Sequence, residues 1–516
     1  MELFFHNDFG YTHLKSCPKL LMKMTFSIRT IKVLLIVACG LLCSMNNLAE
    51  ASESDWYADS PQTVTVANSS LSSLVERIEA LESQVSQQAD ELYDFKEVDI
   101  ITKPTFKLFG RAFIDYWAYP SDSPLVNWVG SEWPNPTSGA PPPTIGNPDS
   151  FVGFRRLRLG IKGQVSETME YKLLMRFAVP ERTSIEDAYF GWGNLPGLVN
   201  NGHEKILIGN QKRPYGLAHI ESSRYCVFME RSLAIDAFND DSRRLGIEGY
   251  GYSNDERWNW RYGGFLMQKI LHTGRIVTNN WEPEVAGRLA NTLWYDEMSG
   301  GRGYAHLGLS GAACWPNGGE QARFFTRPES YGTHKWYDTG RITDGESYQL
   351  GGIEGVLNIN QLQIQGEYMN VHMQRTGGAS DLNFHGGYVF VAYWLTNDYT
   401  PWRRTRGVID RSYPNENFFR VRTEDGSRAR GWGGWQIAGR YSHADFSSGG
   451  IDGGVGNSFT FALNWWWNPY ARMQFNYING QISNRDTGTT GQNPLPAGVG
   501  TSGDYNILGT QFMVDW

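Results

Sequence analysis

Residues 154–165, "FRRLRLGIKGQV", decide how the rest of the chain is read. From Arg156 onward the side chains alternate. Arg156, Arg158, Gly160, Lys162 and Gln164 fall on one face of a strand, and Leu157, Leu159, Ile161, Gly163 and Val165 fall on the other. One face suits hydrocarbon and the other suits water. A transmembrane β-barrel supplies both, with lipid outside and an aqueous lumen inside. In that setting Leu157, Leu159 and Ile161 face lipid, and Arg156, Arg158 and Lys162 line the lumen. Arg155 is out of register with Arg156, so one of the two belongs to a strand end, a bulge or the rim.

The same texture continues from Phe106 to the end. "FKLFGRAFIDYW" sets Lys107, Arg111 and Asp115 against Leu108, Ala112 and Ile114. "YKLLMRF" sets Lys172 and Arg176 against Leu173, Met175 and Phe177, and "ARMQFNYING" sets Arg472, Gln474 and Asn476 against Met473, Phe475 and Tyr477. Clusters of Gly, Asn, Asp and Pro separate these segments. The last residues, "LGTQFMVDW", end on Trp516 with Val514, Phe512 and Leu508 on the same face, which resembles the terminal strand of bacterial outer-membrane barrels. At roughly 20–28 residues per strand with its connection, residues 106–516 allow about 16 strands, with 18 as the upper count. The predicted fold is all-β: a transmembrane antiparallel β-barrel preceded by a short α-helical coiled coil.

Bulk properties agree. The chain has 516 residues, a formal charge of −8, 14% aromatic residues and 58 glycines. Beyond the N-terminus no apolar run approaches the ~18 residues of a spanning helix, but barrel strands need none. The acidic balance argues against nucleic acid as a partner. Of five cysteines, only Cys226 and Cys314 lie beyond residue 51, and they are expected to be unpaired thiols.

The N-terminus reads as an address. Arg29 and Lys32 precede an apolar core from Val33 to Met45, and Ala49-Glu50-Ala51 is a small-x-small cleavage pattern. Residues 1–51 are therefore an upstream segment and a Sec signal peptide cut after Ala51. A linker is expected at 52–67, and a coiled coil at 68–97 on the spacing of Leu71, Leu74, Ile78, Leu81, Val85 and Leu92. A second linker at 98–105 leads to the barrel at 106–516.

Residues 205–231, "KILIGNQKRPYGLAHIESSRYCVFMER", followed by "RRLGIEGYGY" from 243, resemble the phosphate-selective porin O/P family. "FRRLRLGIKGQV", "YKLLMRF" and "IEDAYFGW" add to the resemblance, which is strongest over 106–290. It implies a homotrimeric, sixteen-stranded porin in the outer membrane of a diderm bacterium. A loop folded into such a pore constricts it, and basic residues step down the wall. By that resemblance Arg111, Arg155, Arg156 and Lys172 are wall cations, and Asp187 shapes an anion site. Ser222 and Ser223 are hydroxyl donors, and Arg231 is the central guanidinium. The family pattern has a lysine three residues before the paired serines, where this chain has His219. A neutral imidazole offers one donor and no full charge, which favours a broader anion preference. Arg158 and Lys162 join the site by alternation alone.

The function expected is passive diffusion of small anions, inorganic phosphate first, with outer-membrane lipid as the surroundings. No cofactor, metal or catalytic residue is predicted. Within the class the alternative is a general or sugar-permissive porin. From another class it is a secreted carbohydrate-binding or hydrolytic β-protein. Glu186 and Asp187 invite a catalytic reading, but neighbouring strand residues point to opposite faces and do not flank one bond. Ten histidines form no H-E-x-x-H motif or i, i+4 pair.

Overall fold

Apolar–polar alternation resolves into sixteen antiparallel strands that pair in chain order and close, first strand on last. The computed structural model describes residues 103–516 except 121–122, 131–148, 178–182, 199–200, 240–242, 271–280, 317–321, 423–425 and 487–497. The expected signal peptide, the linker at 52–67, the coiled coil at 68–97 and all but the last three residues of the second linker lie outside the described residues.

The barrel strands are β1 Lys107–Ala118, β2 Phe151–Gln164, β3 Met169–Arg176, β4 Ser184–Leu195, β5 Glu204–Lys212, β6 Arg243–Tyr252, β7 Trp258–Leu266 and β8 Pro283–Tyr295. They continue with β9 Gly303–Cys314, β10 Gly345–Ile359, β11 Leu362–Arg375, β12 Leu382–Trp394, β13 Gly434–Ser448, β14 Ile451–Asn468, β15 Ala471–Arg485 and β16 Gly503–Asp515. Closure runs from Arg111 opposite Asp515 to Ala118 opposite Leu508. Every strand is paired on both sides, so no edge is left unpaired in the bilayer. The count settles at sixteen.

The opening stretch behaves as the alternation requires. Leu159 is 39% exposed on the outer wall, while Arg158 is 8% exposed and faces inward. The register between β1 and β2 shifts after Phe113: Phe113 pairs with Arg156, and Ile114 pairs with Phe154. Arg155 is the extra residue of a bulge, which re-aims a side chain.

Connections differ at the two ends. One end carries 119–150, 213–242, 267–282 and 315–344; the other carries 165–168, 253–257, 360–361 and 469–470. Outer-membrane barrels keep short turns on the periplasmic side, so the second end is periplasmic. It has one exception, the long connection 395–433.

Connections fold inward from both ends, among them 119–150, whose Leu125, Val126, Trp128 and Val129 are buried. That at 213–242 carries helices α1 Leu217–Ile220 and α2 Leu233–Asn239. Leu233, Ile235 and Phe238 of α2 are buried in one apolar cluster with Met369, Val371, Phe384, Phe390 and Phe446 of the wall and Phe324, Trp336 and Tyr337 from 315–344. Along β11–β13 the polar-inside rule therefore fails, because the lumen there holds packed protein and not water. Gly386 permits this contact: a Cβ on it would lie 2.8 Å from the Ala234 Cβ. From the periplasmic end, Trp402 and Ile409 enter a second cluster with Tyr304, Val356 and Leu217. The cationic stretch of β1–β6 lies outside both clusters.

Candidate pore-lining site

The wall from β1 to β6 holds a chain of guanidinium and carboxylate groups. The Arg158 Nη2 donates to Glu186 Oε1 at 2.6 Å, and Arg176 stands 3.6 Å from the same oxygen. Arg243 Nη1 pairs with Glu186 Oε2 at 2.8 Å, and its Nε donates to Asp187 Oδ1. Lys172 Nζ reaches Asp187 Oδ2 at 2.5 Å. Both carboxylates face inward, which corrects the expectation that neighbouring strand residues must diverge. The cause is a register shift in which Leu173 pairs with Ala188 and Met175 with Ile185. Leu174 is thus left opposite both Glu186 and Asp187, and a bulge puts two successive side chains on one side. Their charges are matched by the surrounding cations, so they act as holders of the basic side chains.

Facing this wall is the inward loop. Arg111 Nη1 donates to Ser223 Oγ at 2.7 Å. The guanidinium is buried, and among the described residues no carboxylate is paired with it. Arg155 makes a two-pronged ion pair with Glu230, its Nη2 donating to Oε2 at 2.9 Å. Arg156 stands 3.8 Å from the same carboxylate. The Arg155 guanidinium also lies 4.4 Å from the centre of the Tyr331 ring. Burial alone would raise the Glu230 pKa, but Arg155 and Arg156 override it and hold the carboxyl at about 2. Lys162 is exposed to the lumen, its Nζ 5.7 Å from the Phe109 ring centre.

The expected site residues thus separate. Arg111 meets Ser223; Arg158, Lys172 and Asp187 join Arg243 and Glu186; Arg155 and Arg156 gather on Glu230. Ser222 serves the loop itself, its Oγ accepting from the Arg224 amide at 3.4 Å. Arg231 points its Nε at the Ala218 carbonyl at 2.5 Å and an Nη at that of Glu221 at 3.4 Å, so it closes the end of α1. His219 stands off the wall. It is 1% exposed, with its ring 5.8 Å from that of Tyr215. Burial, then the cations Lys212, Arg213 and Arg231, push its pKa well below the ordinary range, so it stays neutral. Lys212 Nζ instead donates to the carbonyls of His219 and Glu221, each at 2.8 Å.

Sequence reasoning missed several residues. Glu230 lies in the quoted motif but had no partner until the loop folded in. Arg472 on β15 is 1% exposed and inward-facing, with its Nε and Nη1 unpartnered; alternation had already set it on the polar face. Arg224 of the loop pairs with Asp515 at 2.8 Å, and Arg411 of the periplasmic connection pairs with it at 2.5 Å. Between the loop and the wall lies a cavity of about 40 Å³ lined by Glu221, Cys226, Glu230, Arg231, Tyr388 and Arg440, among others. Cys226 and Cys314 are free thiols. Among the described residues no cluster of His, Cys, Asp and Glu has the arrangement of a metal site.

Chemically the lane offers guanidinium and hydroxyl donors to an anion. Its carboxylates are already engaged by cations.

Comparison with known proteins agrees with this architecture. A family model described as "Phosphate-selective porin O and P" matches residues 141–516. The match extends through the C-terminal half, where the sequence motifs had faded. No curated protein matches the chain. Among solved structures, the trimer form of OmpT, an outer membrane protein of Vibrio cholerae, is similar at 10% identity and TM-score 0.47, covering 80% of this chain and 100% of that one. An anion-selective porin from Comamonas acidovorans is similar at 10% identity and TM-score 0.43, over 80% of this chain and 100% of that one. OmpF of Salmonella typhi in complex with daunomycin is similar at 10% identity and TM-score 0.39, over 80% and 98%.

Proposed function

The chain belongs to the phosphate-selective porin O and P family, a porin of the outer membrane of a Gram-negative bacterium, and from that premise we propose that it is a channel for passive diffusion of small anions with inorganic phosphate preferred. The observation that carries the reading is Arg111, a buried guanidinium whose partner is the Ser223 hydroxyl at 2.7 Å and not a carboxylate. An anion entering there gives up water and meets N–H and O–H donors in its place. A guanidinium fork suits two phosphate oxygens at once. Arg156, Arg158, Lys162 and Lys172 extend the lane, so an anion steps between several modest sites. That arrangement supports conduction, because binding in a pore must also be weak enough to release. The functional unit in this reading is a homotrimer.

Phosphate preference is tested by adding inorganic phosphate to a chloride-conducting channel in a planar bilayer. A fall in chloride current that weakens in the Arg111→Gln variant supports a phosphate site at Arg111. Chloride selectivity without any fall overturns the preference and leaves a general anion pore, the reading that His219 favoured.

A further inference from the structure

The long periplasmic connection does not stay in the lumen. After Trp402 and Ile409 it passes to the outer wall. There the Phe418 amide donates to the Trp467 carbonyl at 2.7 Å. The indole N–H groups of Trp435 and Trp465 both donate to the Trp432 carbonyl, at 3.1 and 2.9 Å. Trp435, Trp465 and Trp467 occupy outward positions of β13 and β14 beside the periplasmic turn 469–470. Trp435 stacks on Trp465 at 4.9 Å with an interplanar angle of 17°, and Phe418 meets Trp465 edge-on at 4.5 Å. Trp432 is 75% exposed and Phe419 is 53% exposed. The result is an aromatic shelf on the outer wall, continuous with the lipid-facing Leu463, Phe461 and Phe459 of β14.

Beside the shelf, Phe419–Arg422 and Arg428–Gly431 form a two-stranded hairpin. Its register sets Arg420 opposite Arg430 and Arg422 opposite Arg428. Arg428 and Arg430, two apart on one strand, lie on the same face. Arg428 and Arg430 are exposed, and neither is in an ion pair among the described residues. Two exposed guanidinium groups on one face, with no carboxylate paired to them among the described residues, attract an anion. Aromatic rings mark the depth where hydrocarbon meets headgroups, and arginines beside them reach headgroup phosphate.

We propose that this hairpin and the Trp432 shelf together form a docking surface for an anionic phospholipid of the periplasmic leaflet. Its headgroup phosphate lies on the arginine face and its acyl chains lie against the rings. The aromatic half selects lipid over a free anion, because a soluble phosphate makes no use of it. The proposal concerns the outer wall and is independent of what crosses the lumen.

The test is native mass spectrometry of the full detergent-solubilised protein, titrated with equal amounts of phosphatidylglycerol and phosphatidylcholine. The wild type should retain phosphatidylglycerol preferentially, and preference should fall roughly five-fold for each arginine removed in Arg428→Gln and Arg430→Gln. Trp432→Ala should lower retention of both lipids. Heat-modifiable gel migration checks that each variant still forms the barrel. Equal retention of the two lipids, or a preference unchanged in the double arginine variant, overturns the proposal. Loss of phosphatidylglycerol on addition of millimolar glycerol phosphate also overturns it and assigns the arginines to a free phosphate compound. A patch hidden from both lipids in a trimer overturns it in favour of a contact between copies.

Discussion

Arg111 and Ser223, 112 positions apart in the sequence, meet at 2.7 Å, so the first strand of the barrel touches the middle of the loop that crosses it. This bond narrows the lane at a point where both partners are donors an anion can use. A hydrogen bond to a charged group contributes roughly 1.5–3 kcal/mol. Ser223→Ala should weaken phosphate block of chloride current by roughly ten- to a hundredfold, and Arg111→Gln should weaken it further. Block measured in single channels checks both.

Glu230 anchors the same loop to the wall through Arg155. Its carboxyl is held at about 2 against an ordinary 4.5. A carboxyl depressed in the folded state adds stability that is full above about 4.5 and is lost as pH falls toward 2. Loop docking, read as protection of the loop from protease, should therefore persist at pH 5 and decline by pH 2.5. Glu230→Gln should loosen the loop already at pH 7, since removing one member of a buried pair costs about 3–5 kcal/mol.

Glu221 behaves oppositely. Burial pushes its carboxyl up to about 7, against the pull of Arg231 and Lys212. The folded protein then binds the proton more tightly than the unfolded chain, and stability falls as pH rises from the ordinary 4.5 through about 7. The new negative charge in the loop should also reduce anion selectivity over that range. Reversal potentials at pH 6 and pH 8 check this, and Glu221→Gln should abolish the difference.

Arg243 bridges Glu186 and Asp187. Arg243→Gln leaves two neighbouring carboxylates short of a cation. The variant should lose anion selectivity and lower the temperature at which the barrel form disappears on gels, consistent with about 3–5 kcal/mol for breaking a buried pair.

The barrel was legible because a lipid-facing strand must alternate, and a closed sheet repeats that alternation in every strand. Arg158, Lys162, Lys172 and Arg472 were on the polar face by that rule alone. The Arg155 irregularity was visible as a break in the alternation, and the structure makes it a bulge. The bulge at Glu186-Asp187 escaped, because it inserts a residue without breaking the apolar–polar pattern, and period-two reasoning has no way to place such an insertion. What the loop residues touch was illegible as well. Arg231 and His219 sit in one motif, yet α1 turns the first onto the Ala218 carbonyl and the second into a buried, tilted contact with Tyr215. The apolar interior along β11–β13 exists only because 213–242 folds inward, so Phe384 and Phe446 face protein where alternation expected water.

The most direct test of an anion lane along β1–β6 is the reversal potential of single channels under a KCl gradient in a planar bilayer. A potential of anion sign, reduced in the Arg111→Gln and Arg156→Gln variants, is the predicted result. A potential of cation sign, or no channel from protein that migrates as a folded barrel, would contradict it.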